Sequence, residues 1–462
     1  MASATAVTPH DPPPASDVTW REAVRVWTMI GLLSFGGPAG QIALMHRVLV
    51  EQRKWITERQ FLHALNYCMM LPGPEAMQLA TYVGWLIHGI RGGLTAGVLF
   101  VLPGFVSILV LSVVYVMWGE SRLVLAGLAG MSAAVVAIVI EALIRIGRKT
   151  LRSRTTLGLA AAAFVAIYFF GVPFPLIVLC AAVIGLVVGS ILPGEFPSIL
   201  TRDSSDATTP SINPRYGNKA MAWRAVITIA IWLMIWWGPI AALAVIFGPA
   251  SAYVQQGVFF SKTAVVTFGG AYAVLSYVAQ QAVEMYSWLS PEEMILGLAL
   301  AETTPGPLIM VLQFVGFLGA YHEPAPLSPM GGAILASVVA TWATFAPCFL
   351  WIFAGAPFIE RLEGNRRLAH ALTAVTASIV GVILNLAIWF ALHAIFAQVS
   401  PLTAGPARVL WPEFESVHVW LTVIAVAACV MTLLLHWRMT VVLGVCLTAA
   451  IGVELASGGL VG

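Results

Sequence analysis

Charge is scarce in this chain. Asp, Glu, Lys and Arg make up 10% of its 462 residues, against roughly 25% in soluble domains. Apolar residues make up 60%, and the mean hydropathy is +0.91. No soluble core could hide that much apolar surface, so the sequence describes an all-α polytopic membrane protein. Cysteine is sparse as well. The five residues Cys68, Cys180, Cys348, Cys429 and Cys446 are scattered, with no CxxC pair. This excludes a disulfide framework, a structural zinc site and a dithiol redox centre. A dinucleotide fingerprint and a CxxCH haem site are also missing, which removes a membrane-bound reductase, and no cofactor is expected. His46, His63 and His88 have no Glu or Cys at ligand spacing, so no metal site is expected either. Nothing points to nucleic acid; the expected surroundings are a lipid bilayer. The Pro- and Ser-rich residues 1–19 lack the basic-then-apolar pattern of a signal peptide and read as a disordered cytoplasmic tail.

What the chain does have is a repeat. Phe35-Gly36-Gly37-Pro38 and Leu71-Pro72-Gly73-Pro74-Glu75 recur 233 residues later as Phe268-Gly269-Gly270 and Thr304-Pro305-Gly306-Pro307. Glu51 and Trp55 fall on Glu284 and Trp288 without a gap. Gly and Pro are poor residues for helix interiors. Paired broken segments in two halves of a membrane protein are the best sequence pointer to a transporter's binding site.

Longer apolar runs follow each pair of breaks, at about 93–118, 123–147, 155–171 and 173–193, and again at about 331–358, 368–397, 417–437 and 439–459. The organisation expected is a first transporter repeat at 20–193, a cytoplasmic linker at 194–222, an unmatched helix at 223–250 and a second repeat at 251–462. Loop charge then sets orientation, since cytoplasmic loops are rich in Lys and Arg. Arg145, Arg148, Lys149, Arg152 and Arg154 crowd one loop, whose counterpart at 398–416 holds only Arg408. Loop 119–122 holds Arg122, and its counterpart holds Arg361, Arg366 and Arg367. Loop 46–60 has four basic residues, while 279–293 has none and three Glu. Three loop pairs of opposite bias predict two inverted-topology repeats, with the extra helix turning the second one over. The same parity makes the broken segments re-entrant hairpins. The alternative is kinked full spans, giving thirteen crossings.

A helix broken inside a membrane exposes N–H groups and the positive end of its dipole, an anion site that needs no side-chain charge. Gly36, Gly37, Gly73, Gly269, Gly270 and Gly306, with Pro38, Pro72, Pro74, Pro305 and Pro307, are the candidate substrate-binding breaks. The competing role for these glycines is tight helix packing. Gln41 is a polar group that either binds ligand or joins helices. Charges inside apolar stretches are costly and are functional candidates by default. Glu75 and Glu302 flank equivalent breaks and are candidate proton carriers, or else helix-end caps. Glu141 pairs with Arg145 in its simplest reading. Lys262 and Arg25 are candidate anion-attracting groups, Arg25 alternatively being a snorkelling interface residue.

At these residues the sequence resembles the chromate ion transporter family in its long, two-domain form. The matching stretches are Trp20-Arg21-Glu22-Ala23, Phe35 to Gln41, Trp55 to Cys68, Leu71 to Ala76, Tyr82-Val83-Gly84-Trp85 and Phe100 to Phe105, then Phe268 to Tyr272 and Thr304 to Pro307. The resemblance implies chromate efflux across a bacterial inner membrane, driven by the proton-motive force and conferring chromate resistance. It implies sulfate as a competitor and functional roles for Glu22, Arg25, Gly36, Gly37, Pro38, Pro72, Gly73 and Pro74. Glu22 joins Glu75 and Glu302 as a candidate proton-coupling group. Ala271 stands where the first half has Pro38, so the halves need not contribute equally. A dianion leaving the cell gains ~2.3 kcal/mol per charge per 100 mV, so uniport stands beside proton antiport. A sulfate or other oxyanion carrier that handles chromate incidentally is the alternative, and either a monomer or a homodimer fits.

Overall fold

The computed structural model describes residues 18–119, 121–192, 195–196, 218–268, 270–324, 326–355, 365–405 and 407–457. Gly269, Arg361, nearly all of the expected tail and most of the 194–222 linker lie outside them.

Each half opens with two helical hairpins. In the first, α1 (Trp20–Leu33) breaks at Ser34–Gly36 and returns as α2 (Gly37–His46), which runs into a π-helical turn at Arg47–Gln52. Glu22 at the start and Arg53 at the end close the base with a 3.0 Å ion pair. The second hairpin is α3 (Glu58–Met70) and the first arm of α4 (Glu75–Trp118). Tyr67 and Tyr82 flank its break with ring centroids 5.7 Å apart. A straight helix would separate them by roughly 22 Å, so the chain doubles back.

The second half repeats this order. Helix α9 (Ala252–Val266) breaks and returns as α10 (Ala271–Ala279), again followed by a π-helical turn at Gln280–Met285. Helix α11 (Pro291–Thr303) returns through Leu308–Met310 and α12 (Val311–His322). Phe259 and Tyr277 meet across the first of these hairpins at 5.6 Å, and a Cβ on Gly297 would sit 2.7 Å from the Phe314 ring across the second.

Local chemistry is duplicated with the fold. Helices α3 and α11 start on capping boxes at equivalent positions, Thr57 with Gln60 and Ser290 with Glu293, each satisfying two orphan donors. Each π-helical turn ends in a left-handed residue, Lys54 or Ser287. Trp55 and Trp288 follow and donate their N–H back to Leu49 and Ala282, both at 2.8 Å. With 13 residues each, α3 and α11 rise only ~20 Å, short of the ~30 Å hydrocarbon thickness.

Further helices, most of them longer, surround the hairpins. The 44-residue α4 is two helices, not one rod: it leaves helical geometry at His88 and Gly89. A Cβ on Gly84 would stand 2.5 Å from the Gly92 carbonyl, so the two arms lie antiparallel in close contact. Then come α5 (Arg122–Thr150), α6 (Arg154–Phe170), α7 (Phe174–Ile191) and α8 (Asn218–Phe247). The second half adds α13 (Pro329–Gly355), α14 (Arg366–Ile395), α15 (Val419–Cys429) and α16 (Met439–Ser457). Seven helices among the described residues are long and apolar enough to cross a membrane. A two-stranded antiparallel hairpin, β1 (Val399–Ala404) and β2 (Ala407–Pro412), links α14 to α15, an element not expected from the sequence. Packing is reciprocal: α5 lies along α16, and α14, which fills the place of α5 in the second half, lies along α7.

The second arm of α4 joins the bases of the two sets of hairpins. Near its start, the His88 Nε2–H donates to the Val18 carbonyl at 2.8 Å, beside the base of α1. Near its far end, the Tyr115 hydroxyl donates to Glu293 at 3.1 Å, at the base of α11. The hairpins of the two halves thus have their bases at opposite ends of this helix and their tips between.

Candidate functional site

The four tips meet. Gly73 N–H donates to the Thr267 carbonyl at 2.8 Å, and Gly306 N–H donates to the Ser34 carbonyl at 2.9 Å. Gly73 and Gly306 are equivalent under the repeat, and so are Ser34 and Thr267. Each half's second hairpin is therefore tied to the other half's first. The two glycines have φ of +116° and +97°, a region that only glycine enters at no steric cost. Gly306 also packs on the backbone of Gly104, where an added Cβ would come within 3.1 Å of the Gly104 Cα. Gln41, 1% exposed, donates its amide N–H to the Gly306 carbonyl at 2.6 Å and leaves its Oε1 without a donor.

The breaks aim four helix beginnings at one place: α2, α10, the first arm of α4, and the turn that opens α12. Between them lies a cavity of about 20 Å³, lined by Pro38, Gln41, Pro74, Glu75, Thr267 and Pro307 among others. It has room for one water molecule and is too small for a tetrahedral oxyanion. Beside it opens a cavity of about 690 Å³. Pro38, Glu75, Gly270 and Tyr272 line its inner end. The last turns of α5 contribute Arg145 and Lys149 to its wall, and the end of α2 with the π-helical turn after it contributes His46, Arg47 and Glu51. Glu75 lines both cavities.

Charges in this space come in loose networks. His46 bridges Glu51 at 3.1 Å and Glu58 at 2.5 Å, joining the first hairpin to the second. Lys149 is within electrostatic reach of Glu75. The Tyr272 hydroxyl donates to Glu302, which is 3% exposed, and Arg145 is within electrostatic reach of both. Arg145 also pairs with Glu141 at 3.7 Å. Among the described residues, no group of three His, Cys, Asp or Glu side chains is placed to hold a metal ion.

The structure brings most of the sequence candidates together. Pro38, Gly270 and Glu75 line the large cavity, while Gln41, Pro74 and Pro307 line the small one. Pro72, Gly73, Pro305 and Gly306 form two of the tips, and Gly36 and Gly37 hold the break before α2 with φ of +83° and +70°. Glu302 reaches the cavity only through Tyr272. Three candidates stand apart. Glu22 is engaged by Arg53 at a hairpin base. Arg25 and Lys262 are exposed on α1 and α9 and do not line the cavity. Gly269 lies outside the described residues.

Arg145, Lys149 and Tyr272 escaped the sequence reading as site residues. There the first two are topology signals, Arg145 also the expected partner of Glu141, although their i, i+4 spacing puts both on one face of a helix.

The sequence is similar to those of known proteins along most of its length. The chromate transporter family profile matches residues 21–186 and again 254–453, two stretches that begin 233 residues apart. A chromate transport protein of Pseudomonas aeruginosa is 31% identical over 386 residues, 82% of this chain and 82% of that one. One from Cupriavidus metallidurans is 27% identical over 421 residues, 87% of this chain and 90% of its own length. A probable chromate transport protein of Synechococcus elongatus is 26% identical over 366 residues, covering 79% and 82%. No solved structure matches. The chain belongs to the chromate transporter family.

Proposed function

We propose that this protein carries chromate out of a bacterial cell across the inner membrane, seating the dianion at the inner end of the large cavity, where the hairpin tips converge. The observation that carries the reading is that the beginnings of α2, α10 and the first arm of α4 line that end, with the turn that opens α12 directly behind them at the small cavity. Each helix start offers free N–H groups and about half a positive charge, so together they suit a small doubly charged anion without a dedicated cation. Gln41 adds a buried amide at the same place. Arg47, Arg145 and Lys149 line the way in and raise the local anion concentration.

The two halves insert as inverted repeats. The bases of the first two hairpins and the basic end of α5 face the cytoplasm, so the cavity opens inward. The reading is supported by the placement of Arg47, Arg145 and Lys149 in one cavity wall and by hairpin bases at opposite ends of α4. An inside-negative potential then favours exit of the dianion by ~2.3 kcal/mol per charge per 100 mV. That is the electrical part of the proton-motive force. Sulfate has the same charge and shape as chromate, and backbone N–H groups do not distinguish the two, so sulfate competes.

Chromate flux into everted membrane vesicles tests this. Uptake that is lost with a potential-collapsing ionophore and reduced by excess sulfate is expected. Sulfate uptake without chromate uptake would replace the substrate assignment with a general oxyanion carrier.

A further inference from the structure

Glu75 is out of place in an anion site. It is the first residue of α4, lines both the large cavity and the small one at the tips, and so sits in the same positive well as the proposed dianion. As a carboxylate it would be a counter-ion for the helix beginnings and for Lys149, which is within electrostatic reach. A tetrahedral dianion arriving beside it brings like charge into one confined site, and of two such groups one must give up its charge. The site already holds what the neutral acid needs: Gln41 Oε1 is buried, lines the small cavity with Glu75 and has no donor. A protonated Glu75 supplies one.

We propose that Glu75 takes up a proton from the cavity side as the dianion seats and releases it as the dianion leaves, so that proton and anion move in the same direction. This inference rests on the proposed anion site and goes beyond it, because it assigns the coupling group and the sign of the coupling. The other titratable groups facing this region are Lys149 and Arg145 on α5, His46, Arg47 and Glu51 at the end of α2 and in the π-helical turn after it, Cys68 on α3 and Tyr272 on α10. The three cations neutralise either form of the site. Glu51 is engaged by His46, and Tyr272 by Glu302. Glu75 remains as the carboxylate at the tips. Its equivalent in the second half is Leu308, so a single proton is expected per cycle.

The test uses purified protein in liposomes with an entrapped pH dye, the voltage clamped by potassium and valinomycin, and a chromate gradient at alkaline pH, where chromate is the dianion. The compartment that chromate enters should acidify. Lowering pH on the side that chromate leaves should speed its exit by up to about tenfold per unit, the limit for one coupled proton. Glu75→Gln, whose amide donates to Gln41 as the acid would, should move chromate with no accompanying proton and a flat pH profile. Alkalinisation of the receiving compartment, no proton movement alongside chromate flux, or a Glu75→Gln protein with the wild-type proton signal or with no chromate flux would each overturn the proposal. Sulfate is run in parallel, because the argument holds for any tetrahedral dianion. A protein that moves sulfate and not chromate fails the substrate reading, and its proton signal still decides this one.

Discussion

Helices α2 and α10 are the same element in two surroundings. Each begins at an equivalent break, and each runs into a π-helical turn and a Trp that caps it from behind. Ala39 and Gly40 of α2 are exposed, while every residue from Ala271 to Ser276 of α10 is buried. Residue size explains part of this. Tyr272 stands where α2 has Ala39, and its ring fills space that the first half leaves open. The fold is duplicated, but the two helices present different faces to the large cavity. One half presents a thin, glycine-rich wall to water, and the other supplies a packed floor with Glu302 held beneath it.

That contrast can be broken most severely at the tips. Gly306→Val puts a branched Cβ at φ +97° against the Gly104 backbone, costing about 2–6 kcal/mol from strain and overpacking together. Transport should be abolished and thermal stability clearly lowered. Gly37→Ala has a positive φ too, but nothing lies within 4 Å of its added Cβ. Its cost should stay near ~1 kcal/mol, and a melting curve separates the two. Gln41→Leu comes next. It leaves the buried Gly306 carbonyl without its donor, a loss of about 1–3 kcal/mol that should appear in denaturation and as weaker chromate protection.

Much of this was legible in the sequence, and the reasons are physical. Pro103, Pro239 and Pro347 stay inside helices, but Gly-Gly and Pro-Gly-Pro recurring at one spacing in both halves mark breaks, so the tips could be placed to the residue. Charge asymmetry between matching loops is what the proposed orientation rests on. Which side chains face the cavity was not legible, because that depends on how distant helices rotate. Lys262 and Arg25 looked like intramembrane cations yet turn outward, while Arg145 and Lys149 looked like loop charges yet turn in. The reversal of α4 at His88 and Gly89 was readable only as a gap between two apolar runs. The β-hairpin after α14 left no trace, since Val399–Pro412 is short and proline-bearing.

The cations give the third comparison. Arg145→Gln with Lys149→Gln should raise the KM for chromate about tenfold, roughly 1.4 kcal/mol, most visibly at low salt. The same exchange at Arg25 and Lys262 should leave KM within about twofold in the same flux assay. The smallest effect belongs to the hairpin base. Glu22→Gln breaks a partly exposed pair with Arg53, worth ~0–1 kcal/mol, and should not alter any proton movement accompanying chromate.

The central claim is that the anion site lies at the tips and opens from the basic end. Ala39→Cys and Ala273→Cys in a cysteine-free background test it directly, with a charged, membrane-impermeant thiol reagent applied to right-side-out and everted vesicles. Ala39→Cys should be labelled only in everted vesicles, with chromate slowing the reaction, while Ala273→Cys stays unlabelled from both sides. Labelling of Ala39→Cys from the outer face alone, or labelling that chromate does not slow, would contradict the account.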